Sequence, residues 1–313
     1  AHQRVVERQV EARGARIALA AGTAAQLVVD AARFMALGGD DAQAAQLLDL
    51  GVQLGLFGLE LALRLGAAQV AFLGLLDTWP PETQNWAEKE ANGLDPEVLA
   101  EIDREREAFL AYAEEVKEHF GKVNQIYNNA GIAFTGDVEV SSFKDIERVM
   151  DVDYWGVVNG TKAFLPHLIA SGDGHVVNVS SLFGIFSVPG QAAYNSAKFA
   201  VRGFTEALRQ EMALAKHPVK VTCVHPGGIK TAIARNATAA EGLDQKALAE
   251  TFDRKLANTT PQRAAKIILE AVRKDKARVL VGPDAKVLDV IVRITGSGYQ
   301  KLFASAMGRV LPR

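Results

Sequence analysis

Cysteine is almost missing from this sequence of 313 residues, which contains only Cys223. One cysteine cannot form an intramolecular disulfide, and Cys223 lies in the apolar run V-K-V-T-C-V, so we expect a buried thiol in a reducing compartment. The six histidines are scattered, without an H-x-x-x-H spacing or a Cys/His cluster. We therefore expect no metal site. The single, buried thiol favours a cytoplasmic location.

A strong net charge and a long uninterrupted apolar run are missing too. The formal net charge is −2 at pH 7, which argues against a nucleic-acid-binding surface. The most apolar stretch, 50–76, is interrupted by Glu60 and Arg64, so no uncharged run reaches the ~18 residues of a membrane span. With 49% hydrophobic and 23% charged residues, the composition is that of a globular enzyme with a sizeable core.

The hydrophobic pattern changes along the chain. Residues 1–44 are predicted to form a helical extension, because apolar residues recur every three or four positions up to Gly38. From about residue 105, amphipathic helices alternate with short apolar strands, which predicts an α/β fold with a doubly wound parallel sheet. We assign 45–313 to this domain and regard 45–104 as its divergent part.

Polar residues and glycines follow directly after three of the predicted strands. They are Asn128 to Gly131, Ser180 with Ser181, and Pro226 with Gly227. In parallel α/β sheets, ligands bind outside the carboxyl ends of the strands. These segments are therefore predicted to line a ligand site.

Tyr194 and Lys198 are four positions apart on a predicted helix and so share one face. Either Tyr194 is a core aromatic residue and Lys198 a surface charge, or the two side chains act together in catalysis. A nearby ammonium lowers the pKa of a tyrosine from its usual ~10. With Ser181 holding a substrate oxygen, the phenol could then exchange a proton while a carbonyl and an alcohol interconvert. Such a reaction also needs a hydride carrier, usually a nicotinamide.

Four motifs follow one another along the chain: N-N-A-G at 128–131, N-V-S-S at 178–181, Y-N-S-A-K at 194–198 and P-G-G-I-K-T at 226–231. From about 105 to 313 the chain resembles the short-chain dehydrogenase/reductase family. The resemblance implies a Rossmann-like sheet, a nicotinamide cofactor (NAD or NADP, with NAD slightly preferred), and a homodimer or homotetramer packed through helices near 150–170 and 194–214. It makes Tyr194 the general acid/base, Lys198 the residue that lowers its pKa and binds the nicotinamide ribose, and Ser181 the residue that orients the substrate oxygen.

The same resemblance implies further cofactor-binding residues. Those along the adenosine ribose would be Asn128, Ala130 and Gly131. Those around the nicotinamide amide and the pyrophosphate would be Pro226, Gly227, Ile229 and Thr231.

One departure from the family lies at Asp153, where the family usually has an asparagine that helps to hold a proton-relay water. An ionised Asp153 would oppose the tyrosinate and raise the pKa of Tyr194. Activity would then be lower, or would move to higher pH. The alternative is that Asp153 is merely a tolerated substitute with the same catalytic position.

A larger departure is the lack of the T-G-x-x-x-G-x-G string that opens the family fold and binds the pyrophosphate. The nearest candidate has Gly51, Gly55 and Gly58, followed by an apolar helix and a strand-like run closed by Asp77, which would bind the adenosine ribose hydroxyls. These glycines fit a Leu/Gly-rich packing helix equally well. The third strand would have to come from P-E-V-L-A-E-I-D, where Asp103 would contact adenine.

The candidate substrate residues are apolar: Phe183 and Phe186 follow Ser181, and Trp155 follows Asp153. They indicate a small hydrophobic alcohol or ketone as substrate, although core or subunit-interface positions explain them as well. A rival function is a non-catalytic scaffold or interaction protein on the same framework that has lost dinucleotide binding. The missing glycine string favours this rival, whereas the joint presence of Ser181, Tyr194 and Lys198 favours the oxidoreductase.

Overall fold

The computed structural model describes the backbone of residues 70–73 and 96–310 and the side chains of 104–305. These residues belong to one compact unit that comprises 69–73 and 85–313. The predicted extension 1–44, the three glycines of the pyrophosphate candidate, and Asp77 lie outside the described residues.

Seven strands and eight α-helices make up the described part of the chain. The strands are β1 (Val70–Leu73), β2 (Gln125–Asn128), β3 (Phe134–Thr135), β4 (Gly174–Val179), β5 (Val219–Pro226), β6 (Thr238–Ala239) and β7 (Arg278–Val281). The helices are α1 (Pro96–Phe120), α2 (Phe143–Met150), α3 (Gly156–Ser171), α4 (Ala192–Leu214), α5 (Gln245–Lys255), α6 (Pro261–Arg273), α7 (Pro283–Thr295) and α8 (Tyr299–Val310).

The main sheet has five parallel strands in the order β1-β2-β4-β5-β7. β4 and β5 are valine-rich and almost wholly buried, as expected for parallel strands covered by helices on their faces. Residues of α1, α3 and α4 pack with β2, β4 and β5 in one hydrophobic cluster, centred on Ile126, Phe164 and Val176. The predicted Rossmann-like α/β fold is therefore confirmed.

The register of the sheet brings the three ligand-site segments together. Asn128 at the end of β2 lies beside Asn178 in β4, and Asn178 lies beside Cys223 in β5. Ser180, just past β4, still donates its backbone N–H to the Val224 carbonyl at 2.8 Å. The segments that follow β2, β4 and β5 consequently leave the sheet at the same edge.

A continuous helix runs from Phe143 to Ser171 and consists of α2, a π-helical turn over Asp151–Trp155, and α3. It begins at Ser142, whose side chain forms a reciprocal capping box with Asp145, and it ends at Gly172 in the left-handed conformation. The π turn widens the helix at Asp153, and such turns are frequent at functional sites.

The strand predicted in P-E-V-L-A-E-I-D is wrong. These residues form the first turns of α1, so Asp103 lies on a helix rather than at a strand end. Alanine, leucine and glutamate favour the helix, and the run continues without a break into an amphipathic stretch. The strand predicted before Asp77 does occur, as β1, and pairs in parallel with β2.

Candidate active site

Tyr194 and Lys198 lie on the first turns of α4, one helical turn apart. The ammonium of Lys198 is 5.5 Å from the centroid of the Tyr194 ring, and the Lys198 side chain is only 3% exposed. Lys198 is therefore not a surface charge. A buried ammonium beside a buried phenol is the arrangement that the catalytic interpretation requires.

Asp153 supplies the counter-charge of Lys198. Its Oδ2 lies 3.0 Å from Lys198 Nζ, and its Oδ1 accepts the backbone N–H of Ile132 at 2.7 Å. The carboxyl group is 0% exposed. The π turn thus places the Asp153 carboxylate against Lys198, the lysine that faces Tyr194.

The burial and charges of this cluster shift the pKa of each member. Burial raises the pKa of Tyr194, Lys198 lowers it, Asp153 raises it again, and the hydrogen bond with Ser181 lowers it, with a net rise. Burial alone would lower the pKa of Lys198, but Asp153 and Tyr194 outweigh it and raise that pKa. Burial also raises the pKa of Asp153 against the attraction of Lys198. Asp153 therefore keeps Lys198 charged while opposing ionisation of the phenol.

Ser181 completes the cluster from the end of β4. It is half-buried, its side chain lowers the pKa of the Tyr194 phenol, and its Oγ accepts the backbone N–H of Phe183 at 3.1 Å. The structure therefore brings together the four residues predicted to be catalytic, which are Ser181, Tyr194, Lys198 and Asp153. Their catalytic roles stay predictions.

Asn128, by contrast, directs its side chain into the protein interior. Its Nδ2 donates to Thr161 Oγ1 at 2.9 Å and to Asn178 Oδ1 at 2.7 Å, and the residue is 4% exposed. This amide links β2 to β4 and α3, and the expected contact of Asn128 with the adenosine ribose stays a prediction. Ala130 and Gly131 follow it in a half-buried loop.

The segment from Pro226 to Thr231 is fixed by an aspartate that sequence reasoning missed. Asp284, at the start of α7, accepts the backbone N–H of Gly228 at 2.7 Å, and a Cβ atom at Gly227 would overlap its carboxylate. Ile229 is buried, and Thr231 is half-buried. The only sequence signal for Asp284 is its place behind G-P at a helix start, where a carboxylate is favoured.

The three candidate substrate residues have different surroundings. The Phe183 ring meets the Tyr194 ring edge-on, with 6.1 Å between the centroids. Phe186 is 3% exposed and packs 4.8 Å from Phe303 of α8, which makes it a core residue. Trp155 is 45% exposed, and its ring centroid lies 5.3 Å from that of Tyr154. Phe183 is therefore the member of the three that flanks the phenol.

The comparisons with known proteins name the family of this α/β fold and its candidate site. The sequence profile described as short chain dehydrogenase matches residues 51–242, which is more than half of the chain. This chain belongs to the short-chain dehydrogenase/reductase family and is an oxidoreductase of that class. The matched range begins at Gly51, the first of the three candidate glycines.

Relatives and solved structures agree with this assignment. SadH from Mycobacterium tuberculosis, which is named as an oxidoreductase, is 67% identical over 208 residues, covering 66% of this chain and 75% of SadH. A short-chain dehydrogenase/reductase from Burkholderia phymatum in complex with NAD is 25% identical, with a TM-score of 0.57, over 62% of this chain and 74% of its own. A Burkholderia cenocepacia short-chain dehydrogenase in complex with NADP shares the fold, with 23% identity and a TM-score of 0.50 over 66% and 77% of the two chains.

Membrane-spanning helices and metal clusters are both missing from the described ranges. There, every helix is too short or too polar to cross a membrane. The same residues contain no group of three or more histidine, cysteine, aspartate or glutamate side chains placed to hold a metal ion.

Two buried histidines should make the stability of the protein depend on pH. Burial lowers the pKa of His175 and of His225 to about 4, whereas the unfolded chain titrates near 6.5. Between these values the unfolded state binds more protons, so the folded state loses stability as pH falls from about 6.5 towards 4. We expect each histidine to cost about 2 kcal/mol of unfolding free energy between pH 7 and pH 5.

Urea unfolding at pH 7 and pH 5 measures this loss. His175→Gln should flatten the dependence, because it removes one titrating imidazole. The glutamine amide can still donate to Thr222 Oγ1, which lies 2.8 Å from His175 Nε2. His217→Gln is the matched control, since His217 is exposed. If His175→Gln lost as much stability between pH 7 and pH 5 as the parent protein, the prediction would be contradicted.

Proposed function

We propose that this chain is an NAD(P)-dependent oxidoreductase that transfers a hydride between the nicotinamide and a hydrophobic alcohol or ketone. The observation that carries the proposal is the buried phenol of Tyr194, flanked by the Ser181 hydroxyl and the Lys198–Asp153 ion pair. A solvated surface tyrosine would have none of these neighbours. Family membership supports the class of reaction.

The residues present fit a nicotinamide cofactor. Lys198 Nζ contacts Asp153 and lies 3.4 Å from the Val179 carbonyl, which leaves one of its three N–H donors for a ribose hydroxyl. A Cβ atom at Gly131 would lie 3.1 Å from that Nζ, so the glycine keeps the space beside it open. The bound nicotinamide would supply or accept the hydride. The segment from Pro226 to Thr231, at the carboxyl end of β5, would line the cofactor.

Proton transfer would be the task of Tyr194. In the reduction direction, its hydroxyl donates a proton to the substrate oxygen while Ser181 Oγ holds that oxygen by a hydrogen bond. The resulting phenolate is stabilised by the ammonium of Lys198, and solvent returns the proton. In the oxidation direction, the phenolate takes the proton of the alcohol. Asp153 keeps Lys198 charged in both directions and sets the pH at which the phenolate forms.

The surroundings of Tyr194 favour an apolar substrate. Ile132, Phe183, Ile233 and Leu243 are partly buried and pack around the cluster that contains Tyr194. Charged substrates would lose their hydration there without a partner among these side chains. A hydrophobic ketone or alcohol is therefore the proposed substrate class.

Three finer points belong to the same proposal. Asp77 would bind the ribose hydroxyls, which gives NAD a slight preference over NADP. A homodimer or homotetramer would form through α3 and α4, and this is supported by the exposure of Trp155 beside α3 and of Phe199 on α4. A cytoplasmic location stays a prediction.

Titration of the purified protein with NADH and with NADPH, followed by nicotinamide fluorescence, tests the proposal. We expect saturable binding in the micromolar range and a modest preference for NADH. Asp77→Ala should erode that preference several-fold, because the ribose hydroxyls lose their acceptor. Asp173→Ala is the control, since Asp173 is an exposed residue paired with Lys220. Failure to bind either nucleotide at millimolar concentration would contradict the proposal and favour the non-catalytic scaffold.

A further inference from the structure

The segment Ser181–Val188, here called the serine loop, joins β4 to the approach of α4. It contains a 3₁₀ turn over Leu182–Gly184, and it carries both Ser181 and Phe183. Its position therefore decides where the substrate oxygen and the apolar wall of the site lie relative to Tyr194. Loops of this kind need anchors from other elements to hold one conformation.

Asn195, the residue after Tyr194, anchors three points of the serine loop. Its Nδ2 donates to the carbonyls of Phe183 at 2.9 Å and Phe186 at 3.1 Å, and its Oδ1 accepts the Val188 N–H at 3.2 Å. The side chain is 4% exposed. Both amide hydrogens and the amide oxygen are thus used, which a side chain without an amide cannot reproduce.

Other anchors of the serine loop come from other elements. His225 Nδ1 on β5 lies 2.9 Å from the Ser181 carbonyl, and Tyr299 Oη on α8 accepts the Ser187 N–H at 3.1 Å. Asn195 differs from them because it lies on α4, the helix that carries Tyr194 and Lys198. Its three hydrogen bonds tie the serine loop directly to the first turn of α4.

We propose that Asn195 is a positioning residue that holds the serine loop against Tyr194 and, through Phe183, sets how large an apolar substrate the site accepts. Loss of its three hydrogen bonds releases the Phe183 carbonyl within the 3₁₀ turn and the Phe186 carbonyl and Val188 N–H that follow it. Phe183 then loses its edge-on contact with the Tyr194 ring. The part of this inference that concerns substrate size rests on the proposed function, whereas the placement of the loop does not.

Asn195→Leu tests the inference, because leucine has the same branching at Cγ and its side chain forms no hydrogen bond. The measurement is kcat/KM for methyl ketones from 2-butanone to 2-decanone, with NADH and with NADPH. In Asn195→Leu we expect a loss of about 100-fold for the longest ketone and of less than about tenfold for the shortest. The matched control is Asn124→Leu, which removes an amide that donates to the Asp173 carbonyl away from the site. Equal losses along the series, or no loss, would overturn the specificity role.

Amide hydrogen exchange tests the placement of the loop without any substrate. In Asn195→Leu, or in Asn195→Ser if the leucine variant does not fold, the amides from Phe183 to Val188 should exchange at least about tenfold faster. Those of α6 should be unchanged. Unaltered exchange in the serine loop would overturn the positioning role. Absence of nicotinamide binding in the parent protein would refute the proposed function alone, since the exchange result would still decide this inference.

Discussion

Tyr194→Phe is expected to lower kcat for ketone reduction and for alcohol oxidation by about 10²- to 10⁴-fold, the usual contribution of a positioned acid/base. The change removes the hydroxyl that is proposed to exchange a proton with the substrate oxygen and leaves the ring contact with Phe183 in place. Binding of NADH or NADPH should remain, because the phenyl ring still fills the same space. Steady-state kinetics and the fluorescence titration measure the two effects separately.

Tyr127→Phe is the matched control for this change. Tyr127 is a buried tyrosine in β2 whose hydroxyl donates to Gln125 Oε1 at 2.9 Å, away from the site. It should keep the activity of the parent protein. If Tyr194→Phe kept more than about a tenth of the parent activity, general acid/base catalysis by this residue would be refuted.

Asp153→Asn should shift the pH dependence of alcohol oxidation to lower pH and raise the oxidation rate at neutral pH several-fold. Oxidation needs the phenolate, and the Asp153 carboxylate raises the pKa of Tyr194. Removal of that charge lowers the pKa, so the rate rises at a lower pH than in the parent protein. Lys198 also loses the part of its pKa rise that comes from Asp153, but a charged Tyr194 still raises that pKa. We therefore expect Lys198 to stay protonated when the phenolate forms, so that the direct effect on the phenol dominates.

The same substitution should reduce stability. The introduced amide would still accept the Ile132 N–H, but the buried ammonium would lose its counter-charge, and we expect a loss of about 3 kcal/mol in urea unfolding. Asp173→Asn is the control, because its ion pair with Lys220 at 3.2 Å is largely exposed and should contribute little. A shift of the oxidation profile to higher pH would contradict the prediction and show that Lys198 depends on Asp153 for its charge.

Much of the site could be predicted because parallel sheets obey simple rules. Alternating helices and strands indicate parallel pairing, and the carboxyl ends of parallel strands meet at one edge. Residues after β2, β4 and β5 therefore had to lie close together, wherever the helices packed. The i, i+4 spacing likewise placed Tyr194 and Lys198 on one face of a helix.

Other features depended on contacts that no local pattern encodes. Asn128 belongs to a family motif, yet Thr161 and Asn178 hold its amide inside the protein. Phe183 and Phe186 look alike in sequence, and only α8 makes Phe186 a core residue. For Asp103, the helical preference of its neighbours outweighed the strand that the family pattern called for.

By itself, the sequence determined the fold class and the placement of Tyr194 and Lys198 on one face of α4, because hydrophobic periodicity and helical spacing are local properties. Only the tertiary structure decided how that pair is tuned. The π turn brings Asp153 to Lys198 across 45 positions of sequence, and Asn195 holds the serine loop to α4. Both depend on the packing of separate elements, since a buried charge or amide takes its properties from whichever groups surround it.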